Sequence, residues 1–333
     1  MAINKGIVGI GDASTPVVPS DNFNTVLYTG SGTSKSVTGV GFPPDLVWGK
    51  ATNSSSLSHI LFDVVRGENK QISADLTDAQ VVRSSAAYEF DDDGFTVTTA
   101  GNLNNPNDFV AWCWKAGGAA VSNTNGSITS QVSANVDAGF SISTFTSDAS
   151  TLTAGHGLNS TPDLIIVKAT SFVDSWFVNS IGLTNRTDRA LRLNETSGEE
   201  TNSAFWNNTA PTSTTFSLGS GVSVSGESYV AYSWHSVAGY SKIGSYEGDG
   251  SSSGQTITGL GFNPRFLLVK AIDSSAAWRI TDSARGDNIY LYANLANGND
   301  SSSGYMSLIT DGFKLNGLDS NQGSQTFIYM AFA

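Results

Sequence analysis

The strongest constraint on the fold is internal: four landmarks recur in one order, three times along the 333 residues. The first is an aromatic-turn segment, Tyr28-Thr-Gly, Phe145-Thr-Ser and Tyr246-Glu-Gly. The second is a proline followed by an apolar run ending in lysine: Pro44 to Lys50, Pro162 to Lys168, Pro264 to Lys270. Each set ends on a closing run, Phe109-Val-Ala-Trp-Cys-Trp114, Tyr229-Val-Ala-Tyr-Ser-Trp234 and Phe327-Ile-Tyr-Met-Ala-Phe332. Between them, Asp63-Val-Val-Arg-Gly67 matches Asp282-Ser-Ala-Arg-Gly286, and Asp93-Gly-Phe95 matches Asp311-Gly-Phe313. The second set has drifted at both places, keeping Trp176-Phe177 and Thr215-Phe216. Such recurrence marks tandem supersecondary units.

Each unit has the length of one β-sandwich domain. Short β-branched and aromatic runs punctuated by Gly, Asn and Asp read as strands and tight turns. The sequence therefore predicts an all-β chain of three tandem β-sandwich (jelly-roll or lectin-like) repeats behind an extended N-terminal arm. The arm covers 1–21, with Gly6, Gly9, Gly11, Pro16 and Pro19. The repeats cover 22–117, 138–236 and 237–333, with a linker at 118–137. In the closing run, Phe109, Ala111 and Cys113 face one side and Val110, Trp112 and Trp114 the other. Two apolar faces predict a central strand sandwiched between layers or domains. Leu76 to Val82 and Leu291 to Leu295 are the places where a helical turn or two is expected.

With 17 basic against 29 acidic residues, a net charge of −12 repels polyanions, so neither nucleic acid nor an anionic membrane is expected as a partner. No apolar run approaches the ~20 residues of a membrane span. Met1 to Ser20 lacks a signal-peptide core, so synthesis and assembly in the cytoplasm are expected. Cys113, the single cysteine, rules out an intrachain disulfide and reads as a small buried hydrophobe between two tryptophans.

Candidate chemistry is sparse. Asp91, Asp92 and Asp93 form the densest carboxylate cluster and are a weak calcium candidate, but EF-hand spacing is absent and a solvated turn is the simpler reading. The Asp63/Arg66 and Asp282/Arg285 pairs read as ion pairs fixing a turn. His59, His156 and His235 fall at non-equivalent places, and no Gly-x-Ser-x-Gly elbow is present. Of the seven tryptophans, six sit in strand-like contexts that favour core packing. Trp206 lies in a polar loop and is the one candidate for an exposed ligand contact, together with Asn207 and Asn208. No catalytic residue, metal or cofactor is expected.

The tracts Phe109 to Gly118, Ala238 to Tyr246 and Ile328 to Ala333 resemble repeat-containing virion proteins of marine tailed bacteriophages, cyanophages among them. The resemblance covers about residues 22 to 333. It implies a non-enzymatic structural protein exposed on the particle, its partners other capsid or tail subunits. Decoration or cementing of the capsid through the N-terminal arm is the expected role. A tail-fibre or receptor-binding role, through host glycan or protein, is the alternative.

Overall fold

A computed structural model describes residues 16–301, 306–317 and 320–333. It is all-β, with every strand pairing antiparallel; the short 3-10 turns Pro19–Asp21 and Asn102–Asn104 are the helical elements described. Most of the expected N-terminal arm lies outside the described residues. Its end, Val17 to Asp21, turns into the first strand, with Val17 packed against the core.

Three pairs of sheets follow one another along the chain, here called units 1, 2 and 3. The large sheet of unit 1 has the order Phe23–Thr29, Asp108–Trp114, Leu46–Ala51, Ile60–Asp63, Lys70–Ser73 and Val81–Val82. Unit 3 repeats it as Ser241–Glu247, Thr326–Phe332, Phe266–Ala271, Arg279–Asp282 and Leu291–Tyr292. Registers agree: Trp48 pairs Trp112, Ile166 pairs Tyr232, and Leu268 pairs Met330. A smaller sheet, such as Lys35–Thr38 with Gly94–Val97 and Tyr88–Asp91, covers the outer face.

Residues 118–137, expected as a linker, are instead part of unit 2. Val121–Asn123 and Ser130–Asn135 extend its large sheet to eight strands by pairing outward from Phe140–Thr146. A sheet-edge strand pair needs few apolar side chains, so its Ser- and Asn-rich sequence gave no strand signal. The expected helical turns are also absent. Val81–Val82 and Leu291–Tyr292 are strands; beside the first, Gln80 N–H bonds to Thr170 O of unit 2, and beside the second a single tight turn closes from Leu295 N–H to Tyr292 O.

The closing strands are two-faced. Phe109, Ala111 and Cys113 pack with Val37, Phe62 and Phe95 inside the sandwich of unit 1. Val110, Trp112 and Trp114 face the other way, into a cluster shared by all three units. Tyr232 and Trp234 of unit 2 and Met330 and Phe332 of unit 3 enter the same cluster. The Trp114 ring lies 6.2 Å from Trp234 and 5.8 Å from Phe332, edge to face. The three large sheets therefore turn their inner faces on one another, and each unit keeps a separate sandwich core outside.

Backbone hydrogen bonds close this arrangement into a ring. Gln80 N–H of unit 1 donates to Thr170 O of unit 2 at 3.0 Å, Glu199 N–H to Ile272 O at 2.5 Å, and Asn299 N–H back to Thr52 O at 2.6 Å. Each acceptor stands two residues after the lysine of its unit, so one contact recurs at every seam. Gly198 and Gly298 make two of these approaches possible, because a Cβ at either would meet the facing carbonyl within 2.7 Å.

Candidate binding site at the seams

Seam chemistry grows from the ends of the central strands. Trp176 Nε1 donates to Ser73 O of unit 1 at 2.9 Å, and Trp278 Nε1 to Arg192 O of unit 2 at 2.9 Å. The position corresponding to these tryptophans in unit 1, opposite Lys50, is His59. It accepts a hydrogen bond from Trp48 Nε1 at 2.9 Å. Burial, then the nearby Lys50, holds the His59 imidazole well below its usual range, against backbone acceptors at Tyr292 and Leu295 of unit 3. His156 fills the turn position taken by Val40 and Leu260 in the other units, bonded through Nε2 to Thr212 O at 3.2 Å. The histidines thus serve different local roles.

The lysine ending each proline strand is buried with its ammonium on carbonyl oxygens. Lys168 reaches Ala169 O at 2.8 Å and Thr77 O of unit 1 at 3.2 Å; Lys270 reaches Ala271 O at 2.6 Å and Thr196 O of unit 2 at 3.2 Å. Loss of hydration pushes Lys50 and Lys168 down to about 8 and Lys270 down to about 7, with the Arg279 charge adding to the last.

The Asp–Arg pairs are ion pairs that also belong to seams. Arg66 Nε lies 2.5 Å from Asp63 Oδ2, and Tyr232 of unit 2 donates its hydroxyl to the same oxygen at 2.7 Å. At the next seam the Arg285–Asp282 contact is 2.6 Å, and Trp112 Nε1 of unit 1 donates to Asp282 Oδ2 at 3.0 Å. The third seam lacks the pair for a chemical reason. The position corresponding to Trp112 and Tyr232 is Met330, which has no hydrogen to donate, and the acid position is Ser180. The drift of unit 2 at this landmark thus matches its neighbour.

Each Asp–Arg seam opens outward into a groove. The first, about 480 Å³, lies between units 1 and 2 and is lined by Arg66, Lys70, Gln80, Gln131, Thr144 and Ser228 among others. The second, about 370 Å³, lies between units 3 and 1 and is lined by the corresponding Arg285 and Asn299 with Thr29, Thr52 and Asp108. At the third seam the arginine position is Leu183, buried in the shared core.

The sequence-derived candidates lie elsewhere. Trp206 is buried at 2% exposure, its Nε1 donating to Arg189 O at 2.8 Å inside the sandwich of unit 2. It is not an exposed contact. The polar residues that suggested a loop, Asn207 and Asn208, are exposed because they take the left-handed turn (φ 52° and 50°) that folds Trp206 inward. Asp93 is a turn clamp: its carboxylate accepts from Gly39 N–H at 3.1 Å and Gly41 N–H at 2.6 Å. Asp311 does the same for Gly259 and Gly261 at 3.1 and 2.6 Å. Both glycines of each turn have positive φ, which a side chain resists. Asp91 accepts from Thr96 at 2.8 Å, and Asp92 adds no ligand set: among the described residues no three His, Cys, Asp or Glu side chains group to hold a metal. Cys113 is fully buried, and burial pushes its thiol far up, leaving it without thiolate character. Sequence reasoning missed the grooves because each is assembled from two units far apart in the chain, such as Arg66 with Ser228 in the first and Asp108 with Arg285 in the second.

One family model, described as a domain of unknown function (DUF7483), matches residues 18–333. The chain belongs to that family. The match runs through all three sheet pairs as one domain, in keeping with a ring whose units share a core. No curated protein matches the chain. Among the described residues no helix is long and apolar enough to cross a membrane.

Proposed function

We propose that the chain is a non-enzymatic structural protein exposed on the virion of a tailed phage, most simply a capsid decoration or cement subunit. The observation that carries this reading is the closed ring: three related sandwiches around one apolar axis make a single chain shaped like a trimer. Such a body suits a local threefold position of a particle lattice, where three surrounding subunits present near-equivalent contacts. The sequence resemblance supplies the phage context. The N-terminal arm, rich in Gly and Pro, is the proposed anchor. Imaging purified virions with the protein labelled tests the reading. Label repeating over the capsid lattice is the expected result, and deletion of residues 1–20 should then abolish incorporation while leaving folded protein. Label confined to the tail would replace decoration with an adhesion role, and absence from purified virions would refute the virion assignment.

A further inference from the structure

We propose that the groove between units 1 and 2 binds a carboxylate-bearing saccharide, such as the uronic or sialic residues of an acidic cell-surface polysaccharide. This goes beyond the structural role above and does not depend on it. The groove carries two cations, Arg66 and Lys70, and no lining carboxylate, on a chain whose net charge is −12. Arg66 is 94% buried (6% exposed) and held from behind: Asp63 takes Nε, while Leu61 O and Tyr232 take Nη2 at 3.0 and 3.3 Å. Its Nη1 has no partner among the described residues, and neither has Gln80 Oε1, which lines the same groove. A buried donor and a buried acceptor thus go unsatisfied on two residues that line one cleft, a state that costs free energy unless something completes it. An acidic sugar offers both complements, a carboxylate for the guanidinium and a hydroxyl for the amide oxygen. The remaining wall is a row of hydroxyls and amides, Gln131, Thr144, Thr146 and Ser228, suited to further sugar hydroxyls.

The second groove is an internal control. There Arg285 Nη1 is already satisfied by Asn299 Oδ1 at 3.0 Å, and Asp108 adds a negative charge to the lining. The third seam offers Leu183 in place of the arginine. One seam of three therefore has the open valences, and binding is expected at one site per chain.

The test is calorimetric titration of the purified full-length protein with galacturonate, glucuronate and N-acetylneuraminate at millimolar concentration, beside galactose and inorganic phosphate. At least one acid sugar should bind about tenfold or more tightly than galactose, with one site per chain, as expected where a charge-assisted bond is gained. Lys70→Ala and Gln131→Ala, both outside the buried ion pair, should weaken it, whereas Thr29→Ala in the second groove should not. No binding by any of the three acids, equal binding of galactose, inorganic phosphate binding as well as the acids, or indifference to Lys70→Ala would each overturn the proposal. None of these outcomes bears on where the protein sits on a particle, so the two readings fail separately.

Discussion

If the three units fold as one ring rather than as beads, a cavity at the axis must destabilise the whole chain together. Trp114 is the place to cut. It is 1% exposed and lies within 6.2 Å of Trp234 in unit 2 and within 5.8 Å of Phe266 and Phe332 in unit 3. Trp114→Ala removes about 4 kcal/mol of burial and packing. Unfolding entropy scales with the length of the cooperative unit, about 2.1 cal/mol/K per residue. Spread over all 333 residues, that loss lowers a single transition by about 6 °C. Confined to one unit of about 100 residues, it lowers that unit's transition by about 20 °C and leaves the other two unmoved. Differential scanning calorimetry separates the cases. One symmetric endotherm displaced by a few degrees is expected. A split trace with one component displaced by some 20 °C would refute the shared-core argument.

Three further outcomes follow from the seams. The buried lysines have folded values of about 8, 8 and 7 against an unfolded value near 10.4, so between these limits the unfolded chain holds more protons and stability rises with pH. Above pH 10 the buried Tyr88, Tyr232 and Tyr240, whose values are raised by burial, reverse the trend; thermal midpoints should peak near pH 9 to 10, and Lys270→Met should flatten the rise. Asp63→Asn leaves the Arg66 charge buried without its counter-ion and should cost about 3 to 5 kcal/mol by denaturant titration, whereas Tyr232→Phe, removing one hydrogen bond to the acid, should cost about 1. Ser180→Asp puts a buried carboxylate where no guanidinium waits and where, among the described residues, only Gly182 N–H donates to the present side chain, and should cost at least about 3 kcal/mol; adding Leu183→Arg should restore part of it, and an additive result would count against the matched-seam explanation.

Legibility in the sequence followed chain distance. The closing strand Phe109-Val-Ala-Trp-Cys-Trp114 announces two buried faces, because every residue in it is apolar, and both faces are buried in different cores. The Asp63/Arg66 ion pair was readable because its partners are three residues apart. The bonds that close the ring were not, since they join backbone atoms such as Asn299 N and Thr52 O that carry no side-chain signature. Trp206 misled for a related reason: its polar neighbours describe the turn that buries it, not the environment of its ring. The strands Val121–Asn123 and Ser130–Asn135 escaped because the outermost pair of a sheet asks little of composition.

A homotrimer must present everything it has three times. This chain has the trimer's shape without that obligation, and its seams have diverged: one arginine left open, one capped by Asn299, one replaced by Leu183. Divergence of this kind gives a rotationally symmetric body a marked direction. Such a body can sit on a threefold axis in three orientations that its neighbours barely distinguish, while a ligand sees a single face. Placed over a lattice, rings of this kind would carry one recognition point each, its bearing varying from ring to ring.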